Sequence, residues 1–166
     1  VRGVHWIINH HQAGTPAVAN LSLGGLVNDA RIERIATNAV EQLVAVGVTV
    51  VVAAGNDGRD ESSRIPSTLD AVISVGAVSM FDLRLESSNF GDCVDVYARG
   101  DAQEGPGSLS RIHRTRESGT SVAAAVVTGH VAVYLKAHPG ASPSDVKAWV
   151  LSQSSPGQVK GLPRAL

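Results

Sequence analysis

The sequence predicts an α/β fold in which a parallel sheet is covered by helices on both faces. Three observations carry this. Val48-Thr49-Val50-Val51-Val52-Ala53-Ala54 is an uninterrupted β-prone run, the pattern of a strand buried on both sides. Before it, Ile32, Ile35, Ala36, Ala39, Val40, Leu43 and Val46 recur at three- and four-residue steps and make one apolar helix face. Ahead of that helix, residues 17–23 (AVANLSL) read as another buried strand. Strand, helix and strand in this order form a right-handed parallel crossover.

The remaining elements follow in order. Val4, Ile7, Ile8 and His11 give residues 4–12 a short helix, broken by Gly14-Thr15-Pro16. Gly24-Gly25 ends the first strand, Asn28 or Asp29 caps the long helix, and Gly47 closes it. Residues 55–66 are a polar loop. Strands are expected at 72–78 and 94–98. Residues 99–115 read as loop with room for a hairpin. Residues 120–137 are Ala- and Val-rich on most sides, which predicts a buried helix. His138-Pro139-Gly140 stops it. Ser142 caps a last amphipathic helix with Val146, Trp149, Val150 and Leu151 inward, and Asp145 sits where the helix dipole favours a carboxylate. The tail from Ser154 is expected to fray.

Composition narrows the function classes. The 166 residues argue for one compact unit, with 14 Lys+Arg against 15 Asp+Glu and a net charge of -1. No run of one sign supports a nucleic-acid surface or an electrostatic membrane anchor. No segment reads as an apolar span of bilayer length. The opening Val1-Arg2-Gly3-Val4-His5-Trp6 is not a signal peptide and reads as the interior of a longer chain. The single cysteine, Cys93, cannot form an internal disulfide and is read as a structural thiol.

Three loops lie where an open α/β sheet binds ligands, at strand ends or a helix start. They are 21–25 (LSLGG), 53–58 (AAGNDG) and 118–121 (SGTS). Ser121 falls in the first turn of a buried helix, where a free backbone N–H and the helix dipole both suit an oxyanion. The plain alternative is that Ser118 or Thr120 caps the helix and Ser121 is incidental. Asn56 could donate an amide to the same anion, or Asn-Asp-Gly could be an ordinary turn.

Together these segments resemble the subtilisin-like serine peptidases, and the proteinase K-like branch most. In that family's order come Leu21-Ser22-Leu23-Gly24-Gly25, Val51-Val52-Ala53-Ala54-Gly55-Asn56-Asp57, Val75-Gly76-Ala77, Ser87-Ser88-Asn89-Phe90-Gly91 and Ser118-Gly119-Thr120-Ser121-Val122-Ala123-Ala124. The Ser142-Pro143 helix also fits. The resemblance covers residues 4–153. It implies a three-layer fold with a parallel sheet, incomplete here, as part of a peptidase catalytic domain spanning 1–166. It implies Ser121 as nucleophile and Asn56 as oxyanion donor. Ser22, Leu23 and Gly24 would form one wall of a largely apolar primary pocket, and Ala53, Ala54 and Gly55 the other. The partner would be a polypeptide substrate, the location secreted. No cofactor is needed for the chemistry. A structural calcium would bind the carbonyls of Asp70 and Val72 and the side chain of Asp95, oxygen ligands of the kind calcium takes; the alternative is a solvated Asp at a strand.

The chain also departs from the family. Neither an Asp-Thr-Gly-type nor a His-Gly-Thr-type segment occurs, so the catalytic Asp and His are expected from a missing N-terminal part of the same domain. Of the six histidines, His113 stands nearest ahead of Ser121. Ala125 and Val126 stand where the family usually has Pro and His, Val122 where Met is common, and Ala98-Arg99-Gly100 where Ala-Pro-Gly is usual. A serine without its base is a poor nucleophile, so the fragment alone is expected to be inactive. A peptide-binding pseudopeptidase is the competing reading.

Overall fold

The crossover foreseen from the hydrophobic pattern forms one edge of a sheet, with its first strand outermost. The computed structural model describes residues 2–26, 29–60 and 64–162. Its elements are α1 (Arg2–His10), β1 (Ala17–Leu21), β2 (Gly25–Leu26), α2 (Ala30–Ala45), β3 (Val48–Ala53), β4 (Arg64–Ile65), β5 (Ile73–Val78), β6 (Val96–Arg99), β7 (Gln103–Pro106), β8 (Arg114–Glu117), α3 (Thr120–Ala137) and α4 (Pro143–Gln153). Four strands pair in the order β1-β3-β5-β6, all parallel. Val18 opposes Thr49, Val51 opposes Ile73, and Val75 opposes Val96.

Both sheet faces are covered, as the unbroken apolar runs require. On one face Val51, Ala53, Ile73, Val75, Ala77 and Val96 meet Ala123, Ala124, Val127, Val131 and Leu135 of α3 and Val146 and Val150 of α4. On the other, Val48, Val50, Val52 and Val72 meet Val40 and Leu43 of α2, with Val4, Ile7 and Ile8 of α1 beside them. The two-residue alternation along β3 sends Val48, Val50 and Val52 to one layer and Val51 and Ala53 to the other. This is the three-layer α/β architecture.

Several elements differ from expectation. β1 ends at Leu21, so 22–24 is a loop and not strand. The last sheet strand begins at Val96 and runs to Arg99. The foreseen hairpin is β7–β8 and reaches Glu117. β2 and β4 form an antiparallel pair too short to leave a periodic signal. Asp29 caps α2, its Oδ1 accepting from the N–H groups of Arg31 (2.8 Å) and Ile32 (3.4 Å); Asn28 lies outside the described residues. Ile32 and Ile35 are exposed, so the apolar stripe of α2 is covered only in its later half. Leu151 is also exposed. The tail does not fray from Ser154: the Lys160 N–H donates to Asp82 O at 2.8 Å, and the Arg84 N–H to Lys160 O at 2.9 Å. At 18 residues and mean hydropathy 1.3, α3 is long and apolar enough by composition to cross a bilayer, contrary to expectation. Here its Ala123–Val131 face is buried on the sheet.

Two devices aim the start of α3. The helix is capped by Gly119, whose φ of 132° is a conformation that side-chain-bearing residues rarely adopt. The Gly119 N–H donates to Gly100 O at 2.7 Å. A Cβ on Gly100 would stand 2.6 Å from Gly119 O and 2.8 Å from Ala77 Cβ. Gly100→Ala should therefore lower unfolding stability by about 1–3 kcal/mol, as overpacking does. Urea unfolding measures this; an unchanged midpoint would mean that the contact yields freely.

Candidate active site

The loops after β1 and β3 and the start of α3 meet at one end of the sheet. They enclose a cleft cavity of about 190 Å³. Its walls include Ser22, Leu23, Gly24, Ala53, Gly55, Asn56 and Ser121. All but one of the residues expected there converge. Ala54 is fully buried and does not line the cavity. A larger apolar groove lies between β6, α3 and α4, around Val96, His130 and Trp149. It holds neither Ser121 nor Asn56.

Ser121 is the second residue of α3, so its N–H has no intrahelical carbonyl to reach. The neighbouring Thr120 is fully buried and does the local positioning. Its N–H donates to Asn56 Oδ1 at 2.9 Å, and its hydroxyl donates to the same oxygen at 3.1 Å. The hydroxyl in turn accepts from the Gly55 N–H at 3.1 Å. These bonds occupy the carbonyl end of the Asn56 side chain and orient its Nδ2 as the remaining donor. Neither Ser118 nor Thr120 caps the helix through its side chain. Ser118 Oγ instead accepts from the Ala102 N–H at 2.8 Å. Across the cleft, the Ser22 hydroxyl donates to Ser121 O at 3.0 Å and ties the first wall to α3.

Asn89 builds the Asn56 loop from below, and only the family resemblance of its segment pointed to it. It is fully buried. Its Oδ1 accepts from the N–H groups of Asp57 (2.9 Å) and Arg59 (3.3 Å), and its Nδ2 donates to Ala54 O at 2.9 Å. Sequence reasoning missed Arg64 altogether. From β4 it enters the cavity wall, ion-paired with Asp57, and its side chain packs close to Gly55. The pocket is thus polar on one side and not largely apolar. No periodicity marks a two-residue strand, so nothing in the pattern aims Arg64 inward.

No histidine joins this cavity among the described residues. His113 sits near the closed end of the β7–β8 hairpin with its ring over Gly107. His10 stacks on Trp6 and His138 on Tyr134. The oxygens expected to hold calcium also converge, but on a lysine. Lys147 Nζ donates to Asp70 O (3.1 Å) and Val72 O (2.8 Å) and pairs with Asp95 Oδ1 at 2.8 Å.

This parallel sheet, with a serine opening a helix packed on one of its faces and an oriented amide in the same cavity, has the fold of the subtilisin-like serine proteinases. A cold-adapted subtilisin-like serine proteinase of known structure superposes with a TM-score of 0.84 at 30% identity, over 96% of this chain and 55% of that one. The subtilase family profile matches residues 1–166. The chain belongs to the subtilase family. It is 39% identical over 164 residues to the extracellular serine proteinase of Thermus sp. (strain Rt41A), covering 99% of this chain and 38% of that protein. It is 36% identical over 162 residues to alkaline serine exoprotease A of Vibrio alginolyticus, covering 96% of this chain and 28% of that protein. The chain therefore spans well under half the length of these relatives.

Proposed function

We propose that this chain is the nucleophile- and pocket-bearing part of a secreted serine endopeptidase. Its substrate would be an extended polypeptide, lying along the backbone of 21–24 with one side chain in the cavity. Ser121 Oγ attacks the scissile carbonyl, and the oxyanion accepts hydrogen bonds from the Ser121 N–H and Asn56 Nδ2. The proton of Ser121 passes to a histidine base, held by an aspartate, both from a part of the domain outside this sequence. The base then protonates the leaving amine, and water releases the acyl group. The observation that carries this reading is the pair of hydrogen bonds from Thr120, the residue before Ser121, to Asn56 Oδ1, which leaves the amide nitrogen as the remaining donor of that side chain. The extracellular relative supports secretion.

A fluorophosphonate probe should react with the full-length protein at Ser121 alone, read by mass spectrometry of the labelled peptide. Label on another residue of a protein that cleaves peptides would overturn the assignment.

A further inference from the structure

Asp70, Val72 and Asp95 direct three oxygens at one point between the approach to β5, the approach to β6 and α4. The ammonium of Lys147 sits there, 3.1 Å from Asp70 O, 2.8 Å from Val72 O and 2.8 Å from Asp95 Oδ1. An ammonium has three N–H donors, and these acceptors use all three. The separations are those of N–H···O bonds. Calcium takes six to eight oxygens at about 2.3–2.6 Å, and with Lys147 in place the cluster does not fit it.

The lysine is not a loose surface chain. Lys147 and Asp95 side chains are only 23% and 20% exposed. Val146, the residue before it, is fully buried, and Val150 is buried one turn later, which sets the rotation of α4. A capping box at Ser142 and Asp145 holds the start of that helix. The Asp95 carboxylate is oriented independently, its Oδ2 accepting from the Ser74 N–H at 2.8 Å. A divalent ion entering here would have to expel the ammonium and then sit beside it, against like-charge repulsion.

We propose that Lys147 is a built-in cation that takes the place of calcium at this cluster. One side-chain charge thus fastens α4 to the segment before β5. That segment returns by turns to the pocket, through Val72 N–H to Leu69 O (3.2 Å), Leu69 N–H to Pro66 O (3.1 Å) and Thr68 N–H to Arg64 O (3.1 Å). The order of the Arg64 wall is then independent of free calcium at this cluster.

The test uses the full-length protein, its Lys147→Ala variant and its Asp95→Asn variant. Bound calcium is counted by equilibrium dialysis, and thermal unfolding is followed in EDTA and in excess calcium. Asp95→Asn should bind as many calcium ions as the unchanged protein. Lys147→Ala should unfold several degrees lower in EDTA, bind one more calcium ion, and recover part of the loss when calcium is added. The proposal is overturned if Asp95→Asn removes a calcium ion that the unchanged protein binds. It is equally overturned if Lys147→Ala folds and gains no calcium. Should Lys147→Ala not fold, the comparison of Asp95→Asn with the unchanged protein still decides.

Discussion

Ser121→Ala in the full-length protein should cut kcat by about 10⁶ on a peptide substrate and leave KM nearly unchanged. The magnitude is that measured for subtilisin itself when its nucleophile is removed. The reasoning for this chain is local. The hydroxyl is the group that would bond to the substrate carbonyl carbon, and the other hydroxyl in the first turn of α3 at this cavity belongs to Thr120. Thr120 is fully buried, and its hydroxyl already accepts from Gly55 and donates to Asn56. It cannot stand in. The binding walls do not depend on the Ser121 hydroxyl, because Ser22 bonds to the backbone carbonyl of Ser121 and not to its side chain. Steady-state kinetics of the purified variant measure this. A loss of less than tenfold would remove Ser121 from the chemistry.

Asn56→Asp should lower kcat by at least about 10²–10³, the range that loss of the asparagine donor causes in subtilisin. This variant separates two roles that Asn56→Leu removes together. An aspartate keeps an oxygen for the N–H and hydroxyl of Thr120, so the scaffold contact survives. It replaces the outward amide donor with a negative oxygen that repels an oxyanion. If Asn56 serves only as a scaffold, Asp is tolerated and Leu is damaging. If its amide stabilises the transition state, Asp is at least as damaging as Leu, with kcat falling and KM steady. Comparing the two variants at one pH decides between these roles.

The parts legible in the sequence were those in which a long pattern reports a long element. β3 has every residue buried, and its valines alternate between the α2 and α3 layers, so its continuous apolar run translated directly into a central strand. The extent of α3 and the capped start of α4 were equally plain, but the Ala- and Val-rich sides of α3 suggest burial nearly all round, and only its sheet-facing side is buried, with Val133 exposed. Periodicity shows which way a helix side faces, but not whether anything covers it, and this is why Ile32 and Ile35 were misjudged. The meeting of Ser121, Asn56 and Ser22–Gly24 was readable only through the family's ordered motifs. Arg64 escaped because its strand has two residues and its bearing comes from pairing with Gly25-Leu26. Lys147 escaped for a different reason. It lies 52 residues after Asp95, on a helix whose rotation is set by the burial of Val146 and Val150. The resemblance named the oxygens, and nothing in it named the nitrogen that meets them.

The pair of bonds from Thr120 to Asn56 has a mechanical consequence. The amide and the serine come from loops 64 residues apart, counted from Asn56 to Thr120. Because Thr120 both adjoins Ser121 and grips Asn56, the two groups are linked directly and not through the sheet. Their spacing is governed by two hydrogen bonds and one peptide link, not by the alignment of the whole domain. Softening of the outer strand β1 would thus disturb the Ser22–Gly24 wall before the spacing of these two groups.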